Sequence, residues 1–179
     1  MTGNESRLRR TDTPWLPWLG VLLLGAPVMA GAGEVTVTVL ASDGTPVVDA
    51  AVILEPEGHV PPHRSAPRAA VMDQQNRRFV PEVLVVDLGA VVNFPNSDSV
   101  SHEVYSFSTP KRFQLPLYKG QPHAPVIFEK PGLVALGCNI HDQMAGYILV
   151  TESPFHDETD EHGVAHPGNA PAGRFRLRV

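Results

Sequence analysis

The residues best equipped for chemistry stand close together: Cys138-x-x-His141-x-x-Met144 places a thiolate, an imidazole and a thioether in one short segment. Joined by one more imidazole, these donors are the ligand set of a mononuclear copper centre. In such a centre a thiolate and two imidazoles hold the ion in a trigonal plane, and a long thioether contact completes the axis. The missing imidazole is expected from His102, which ends the polar run Asn96 to Ser101. The expected metal ligands are therefore His102, Cys138, His141 and Met144, around one copper ion cycling between Cu(I) and Cu(II). All four come from the chain and leave no open position for a substrate or an activated water, so a carrier is expected and not an enzyme. Glu103, beside His102, is a further residue that could approach the ion.

Strands must bring these side chains together. Short Val-rich runs recur at Phe79 to Leu88, Val91 to Phe94, His102 to Phe107, Val126 to Glu129, Leu133 to Gly137 and Gly146 to Val150, separated by turn residues such as Gly89-Ala90 and Pro131-Gly132. The pattern predicts an all-β sandwich or barrel with very little helix. Cys138 then follows a strand directly, and His102 opens another. Residues 33–54 read as an N-terminal β-hairpin module, with Val35, Val37 and Val39 alternating against Thr36 and Thr38 before a turn at Ser42-Asp43-Gly44. Residues 55–70 read as a Pro-rich linker in which His59 and His63 are solvated. Residues 71–151 hold the strand-rich domain. Residues 152–179 read as an exposed acidic tail bearing His156, His162 and His166, with a final strand at Arg174 to Val179 that is expected to pack on the N-terminal hairpin. The stretch Phe113 to Tyr118 is expected as an apolar loop that either extends over the metal site or caps the sandwich.

Composition narrows the setting. With 18 Pro and 15 Gly in 179 residues, the chain is rich in turns. Residues 1–32 have the layout of a signal peptide: basic Arg7, Arg9 and Arg10, an apolar run from Trp15 to Val28, then the small residues Ala30-Gly31-Ala32. Its removal takes Lys plus Arg from 14 to 11 and Asp plus Glu from 19 to 17, so the net charge moves from −5 to −6. No basic stripe remains for a phosphate backbone, which excludes nucleic acid as a partner. The expected product is a periplasmic monomer without stable membrane association. Its single Cys cannot form an internal disulfide in an oxidising compartment, and a metal bond is the leading reason to keep such a thiol.

Taken together, Phe79-x-Pro81, Gly89-x-Val91-x-x-Phe94-x-Asn96, His102-x-Val104 and Cys138-x-x-His141-x-x-Met144-x-Gly146 resemble the plastocyanin and amicyanin pattern of the cupredoxins. The stretch from Met72 to Val150 is similar to plastocyanin-like proteins of the methylamine utilisation type. The resemblance implies a Greek-key β-sandwich over residues 71–151 and a type 1 (blue) copper centre. It also implies single-electron transfer in a bacterial periplasm, with redox partner proteins of the cytochrome c or dehydrogenase type. The chain departs from the pattern at Glu103, where Asn commonly follows the first His and makes a hydrogen bond that locks the loop. The phrase Asp43-Gly44-x-Pro46-Val47-x-Asp49-Ala50 resembles the start of carboxypeptidase regulatory-type β-modules. Two other functions stay open at this stage. One is a copper-binding protein for buffering or delivery, with His156, His162 and His166 as extra ligands; the other is a metal-free binding β-sandwich.

Overall fold

The computed structural model describes residues 33–58, 69–120 and 124–179; the expected signal peptide, and His59 and His63 of the expected linker, lie outside them. The described residues form strands, turns and loops, without helix. The strands are β1 (Gly33–Glu34), β2 (Val37–Thr38), β3 (Ala51–Pro56), β4 (Ala69–Val71), β5 (Asp73–Gln75), β6 (Arg78–Val80), β7 (Val83–Asp87), β8 (Ala90–Asn93) and β9 (His102–Ser106). They continue with β10 (Phe113–Tyr118), β11 (Val126–Phe128), β12 (Gly132–Gly137), β13 (Ala145–Thr151), β14 (His156–Glu158), β15 (Val164–Ala165), β16 (Asn169–Ala170) and β17 (Phe175–Arg178).

Two sheets make the main body: β10-β9-β12-β13-β7 in one layer and β11-β8-β4 in the other. Alternation along the strands explains why they stack. Every second residue, including Val92 and Phe94 on one side and Val104, Val134, Leu136, Ile148 and Val150 on the other, turns into one buried cluster that also takes Met72, Phe79 and Phe128. The chain passes between the layers from β7 to β8 to β9 and again from β10 through β11 to β12, the crossings of a Greek-key sandwich. The all-β sandwich expected over this region is therefore present.

Phe113 to Tyr118 is a strand, where a loop was expected. As β10 it pairs with β9 at the sheet edge, with a register shift between Leu115 and Tyr118. Pro116 falls inside that irregularity, where an edge strand tolerates a residue without an N–H. Leu115 is buried while Leu117 is exposed, so this stretch belongs to the sandwich wall.

The larger correction concerns the two flanks. The N-terminal turn forms where expected, with the Thr45 N–H donating to Asp43 Oδ1 at 3.0 Å and Gly44 at φ 86°. Beyond the bridge between Leu40 and Pro46 its arms part. β1 pairs with β16, β2 with β15, and β3 with both β14 and β17. Residues 152–179 are thus not an exposed tail; they complete an outer unit with residues 33–56. Phe155 and Ala170 are buried there with Leu54, and the Phe155 and Phe175 rings meet edge-on with centroids 5.7 Å apart. Thr159 fastens the bend between Val47 and Ala50 by accepting the Ala50 N–H at 2.8 Å and donating to Val47 O at 2.7 Å. Of the apolar face expected on β17, only Phe175 packs into this cluster, while Leu177 and Val179 stay exposed. A cavity of about 840 Å³ lies between the outer unit and the sandwich, lined in part by Ile53, Leu133, Leu149 and Phe155.

Candidate metal centre

β12 and β13 form an antiparallel hairpin whose last pair is Gly137 with Ala145, so the intervening loop 138–144 holds Cys138, His141 and Met144. The Met144 N–H donates to His141 O at 2.9 Å, which folds the loop back on itself. His102 arrives from the neighbouring strand: β9 meets β12 at Tyr105 and Gly137, and its first residue, His102, pairs with Tyr118 of β10. Gly137 packs closely against a neighbouring ring. A Cβ there would fall 2.7 Å from the Tyr105 phenol, which lies over the backbone immediately before Cys138.

The histidine and cysteine ligands expected from the sequence converge. Donor atoms of His102, Cys138 and His141 all lie within 4.8 Å of one another. Cys138 Sγ is 3.7 Å from His102 Nδ1, and the two histidine Nδ1 atoms are 3.2 Å apart. Bonds to a first-row ion such as zinc run about 2.0–2.1 Å from nitrogen and about 2.3 Å from sulfur. Both separations are shorter than two such bonds end to end, so His102 can share an ion with either neighbour. His102 is fully buried and Cys138 nearly so, whereas His141 keeps partial exposure. Met144 is buried in the same cluster as Cys138, on the core side of the loop. The residues present fit a single thiophilic ion, because a buried thiol and two facing imidazole nitrogens are a soft, compact donor set.

The protonation pattern of His102 agrees with that use. Its Nε2 lies 3.0 Å from Asp98 Oδ2, and a carboxylate can only accept, so Nε2 carries the hydrogen and Nδ1 offers a lone pair to the cluster. That contact, with the Arg77 N–H donating to the same oxygen, holds the Asp98 carboxyl well below the usual carboxylate range.

Glu103 does not approach the donors. Next to an inward-facing His102 on an alternating strand, its carboxylate accepts from Gln114 Nε2 at 2.5 Å. Upstream, Asn96 ties its own loop to the end of β10, donating through Nδ2 to Val100 O at 3.0 Å and Tyr118 O at 2.9 Å. Behind it, Tyr118 donates to Phe94 O and accepts from the fully buried Gln74, and burial pushes the phenol up to about 12. The tail histidines are dispersed. His156 sits 3.1 Å from Asp87, His162 is exposed beside Glu161, and His166 contacts Thr36; none joins a three-donor group among the described residues. Sequence reasoning missed Asp98. The available sign was its place four residues before His102, in a run of Asn, Ser and Asp that favours side-chain to backbone bonding.

No protein-family model matches the chain, and no curated protein matches it. Among solved structures it is similar to a purple cupredoxin from Nitrosopumilus maritimus, at 24% identity over 47% of this chain and 100% of that one, with a TM-score of 0.41. A mutant amicyanin in its reduced Cu(I) form matches at 21% identity over 56% of this chain and 98% of that one, with a TM-score of 0.42. A copper-containing nitrite reductase from Thermus scotoductus SA-01 matches at 26% identity and a TM-score of 0.45, over 55% of this chain but only 25% of the reductase. The metal assignment stands on the three converging donors and not on these likenesses.

Proposed function

We propose that this chain is a single-copper protein of the blue type that carries one electron at a time between partner proteins, and that His102, Cys138, His141 and Met144 would hold the ion. The observation that carries the proposal is the buried His102, Cys138 and His141 cluster, with its donor atoms within 4.8 Å. Bound copper supplies a one-electron Cu(II)/Cu(I) couple there. The chain does the rest. Cys138 would hold the ion through its sulfur as a thiolate, releasing its proton to solvent. His102 turns Nδ1 inward and donates its Nε2–H to Asp98, and the surrounding core excludes water from Nδ1 and the Cys138 sulfur. His141, the partly exposed member, gives the shortest way for an electron to enter from a reduced partner and leave to an oxidised one.

Partners of the cytochrome c or dehydrogenase type, a periplasmic location and the methylamine utilisation type belong to the same proposal; its support is the acidic composition, the N-terminal pattern and the motif resemblance. Protein purified with Cu(II) should bind one ion, absorb strongly toward the red and show reversible one-electron voltammetry. A colourless complex overturns the proposal. A coloured complex that surrenders its copper readily to a chelator points instead to delivery or buffering.

A further inference from the structure

Asp98 is held from several directions at once. Its Oδ2 accepts the Arg77 main-chain N–H at 2.7 Å as well as the His102 Nε2–H at 3.0 Å. Its Oδ1 accepts the Ser99 N–H at 2.7 Å, and its own N–H donates to Asn96 Oδ1 at 3.0 Å. The Arg77 donor is presented by the tight turn between β5 and β6, where Asn76 and Arg77 take φ values of 51° and 59°. Two successive residues in the left-handed region make the hairpin turn that matches strand twist, and they orient the Arg77 N–H toward the loop. The same hairpin is stitched to that loop twice more: Asp73 Oδ1 accepts the Ser97 N–H at 3.2 Å, and Gln74 Nε2 donates to Pro95 O at 3.0 Å.

The carboxylate position is therefore set by a hairpin more than twenty residues upstream, independently of the ring it holds. The ring has little freedom of its own, since His102 is fully buried. A fixed acceptor on Nε2 permits only one tautomer to face the donor cluster. It also places a full negative charge on the outer side of that imidazole, which makes the inner nitrogen a stronger donor.

We propose that Asp98 is a positioning residue for the metal: clamped by the β5–β6 turn, it fixes the tautomer and orientation of His102 and biases the centre toward the oxidised ion. This inference rests on the copper assignment above for its second half, while its first half concerns His102 alone.

The test uses the full purified protein and two variants, Asp98→Asn and Asp98→Ala. Asn keeps an acceptor oxygen for the Arg77 and His102 N–H groups but removes the charge; Ala removes both. Nitrogen NMR of the metal-free wild type should find the His102 proton on Nε2, retained in Asp98→Asn and redistributed in Asp98→Ala. With copper, Asp98→Asn should keep one ion and the visible band while the ratio of Cu(II) to Cu(I) affinity falls about tenfold, a rise in potential of about 59 mV. Asp98→Ala should lose about 10–100-fold in copper affinity. Where Asp98→Ala does not fold, Asp98→Asn and the wild-type tautomer decide the matter.

A proton on Nδ1 in the metal-free wild type overturns the inference, as does an Asp98→Asn potential equal to the wild type. If wild type binds no copper yet its Nε2 tautomer depends on Asp98, the copper assignment fails and the positioning role stands.

Discussion

The carboxylate of Glu158, on β14, accepts the main-chain N–H of Val85 on β7. β7 is the last strand of the five-stranded sheet, so a side chain of the outer unit covers part of an edge that would otherwise offer free backbone donors. Burial raises the Glu158 carboxyl above its ordinary value of 4.5, against the lowering effect of the Val85 hydrogen bond. A raised value means that the group contributes most to stability below its unfolded pKa, near 4.5, and that the contribution is lost as pH rises through the folded value. Glu158→Gln keeps an acceptor oxygen without the charge. It should melt higher than wild type at neutral pH, with the gap closing below pH 4.5. Thermal melts at both ends of that range check this, and a Gln variant that melts lower at neutral pH would show that the charged hydrogen bond outweighs burial.

Gly146 faces Phe79 across the core, and a Cβ there would fall 2.8 Å from the Phe79 Cβ and 3.0 Å from its ring. Phe79 is almost fully buried and its Cβ is tied to the backbone, so it cannot step aside. Gly146→Ala should destabilise the fold by about 1–3 kcal/mol, as overpacking does. Urea titration would show a lower midpoint with an unchanged slope.

Metal removal should have a large effect, because the donors come from a strand and a distant loop and an ion that binds only the folded state stabilises it by mass action. At free copper a hundredfold above Kd the gain is about 2.7 kcal/mol, which for a chain of this length is about 5–11 °C in Tm. Calorimetry with and without a chelator measures it.

Ligand roles separate by substitution. Cys138→Ser should abolish the visible band even where some copper stays bound, because the band arises from the thiolate. His102→Ala should damage binding itself. Met144→Leu should keep the ion and its colour but raise the reduction potential, since losing a weak thioether donor would disfavour Cu(II) more than Cu(I). Voltammetry and metal analysis distinguish these outcomes; Met144→Leu without copper beside a native His102→Ala would reverse the assignment.

Much of the donor cluster was legible because its chemistry is local. Cys138, His141 and Met144 share one loop, and strand alternation before it identifies Gly137 as a strand end. His102 needed a longer step, from a polar loop entering a Val-rich strand. What escaped was pairing between short segments far apart in the chain. β14, β15 and β16 are two or three residues each, too brief for periodicity, and their acidic and His content resembles a solvated tail. Their partners are chosen by a few buried groups, such as Phe155 against Leu54 and Thr159 against the turn at Ala50, which no local pattern announces. Asp98 escaped for a related reason: its importance depends on the Arg77 N–H, which only the folded hairpin brings to it.

The outer unit also sets an order of assembly. Each of its ladders joins a residue no later than Pro56 to one no earlier than His156, so every one closes a ring that contains the whole sandwich. Closing so long a ring in an unfolded chain is slow, because the ordering entropy precedes any contact that offsets it. Once the sandwich has formed, its β7 edge offers Val85 and Asp87 as a landing place, and the search collapses to two short flanks. The hairpin that carries Cys138 and His141 is then complete before the flanks meet. With its smaller buried cluster, the clasp they form is the last part to close and the first to open.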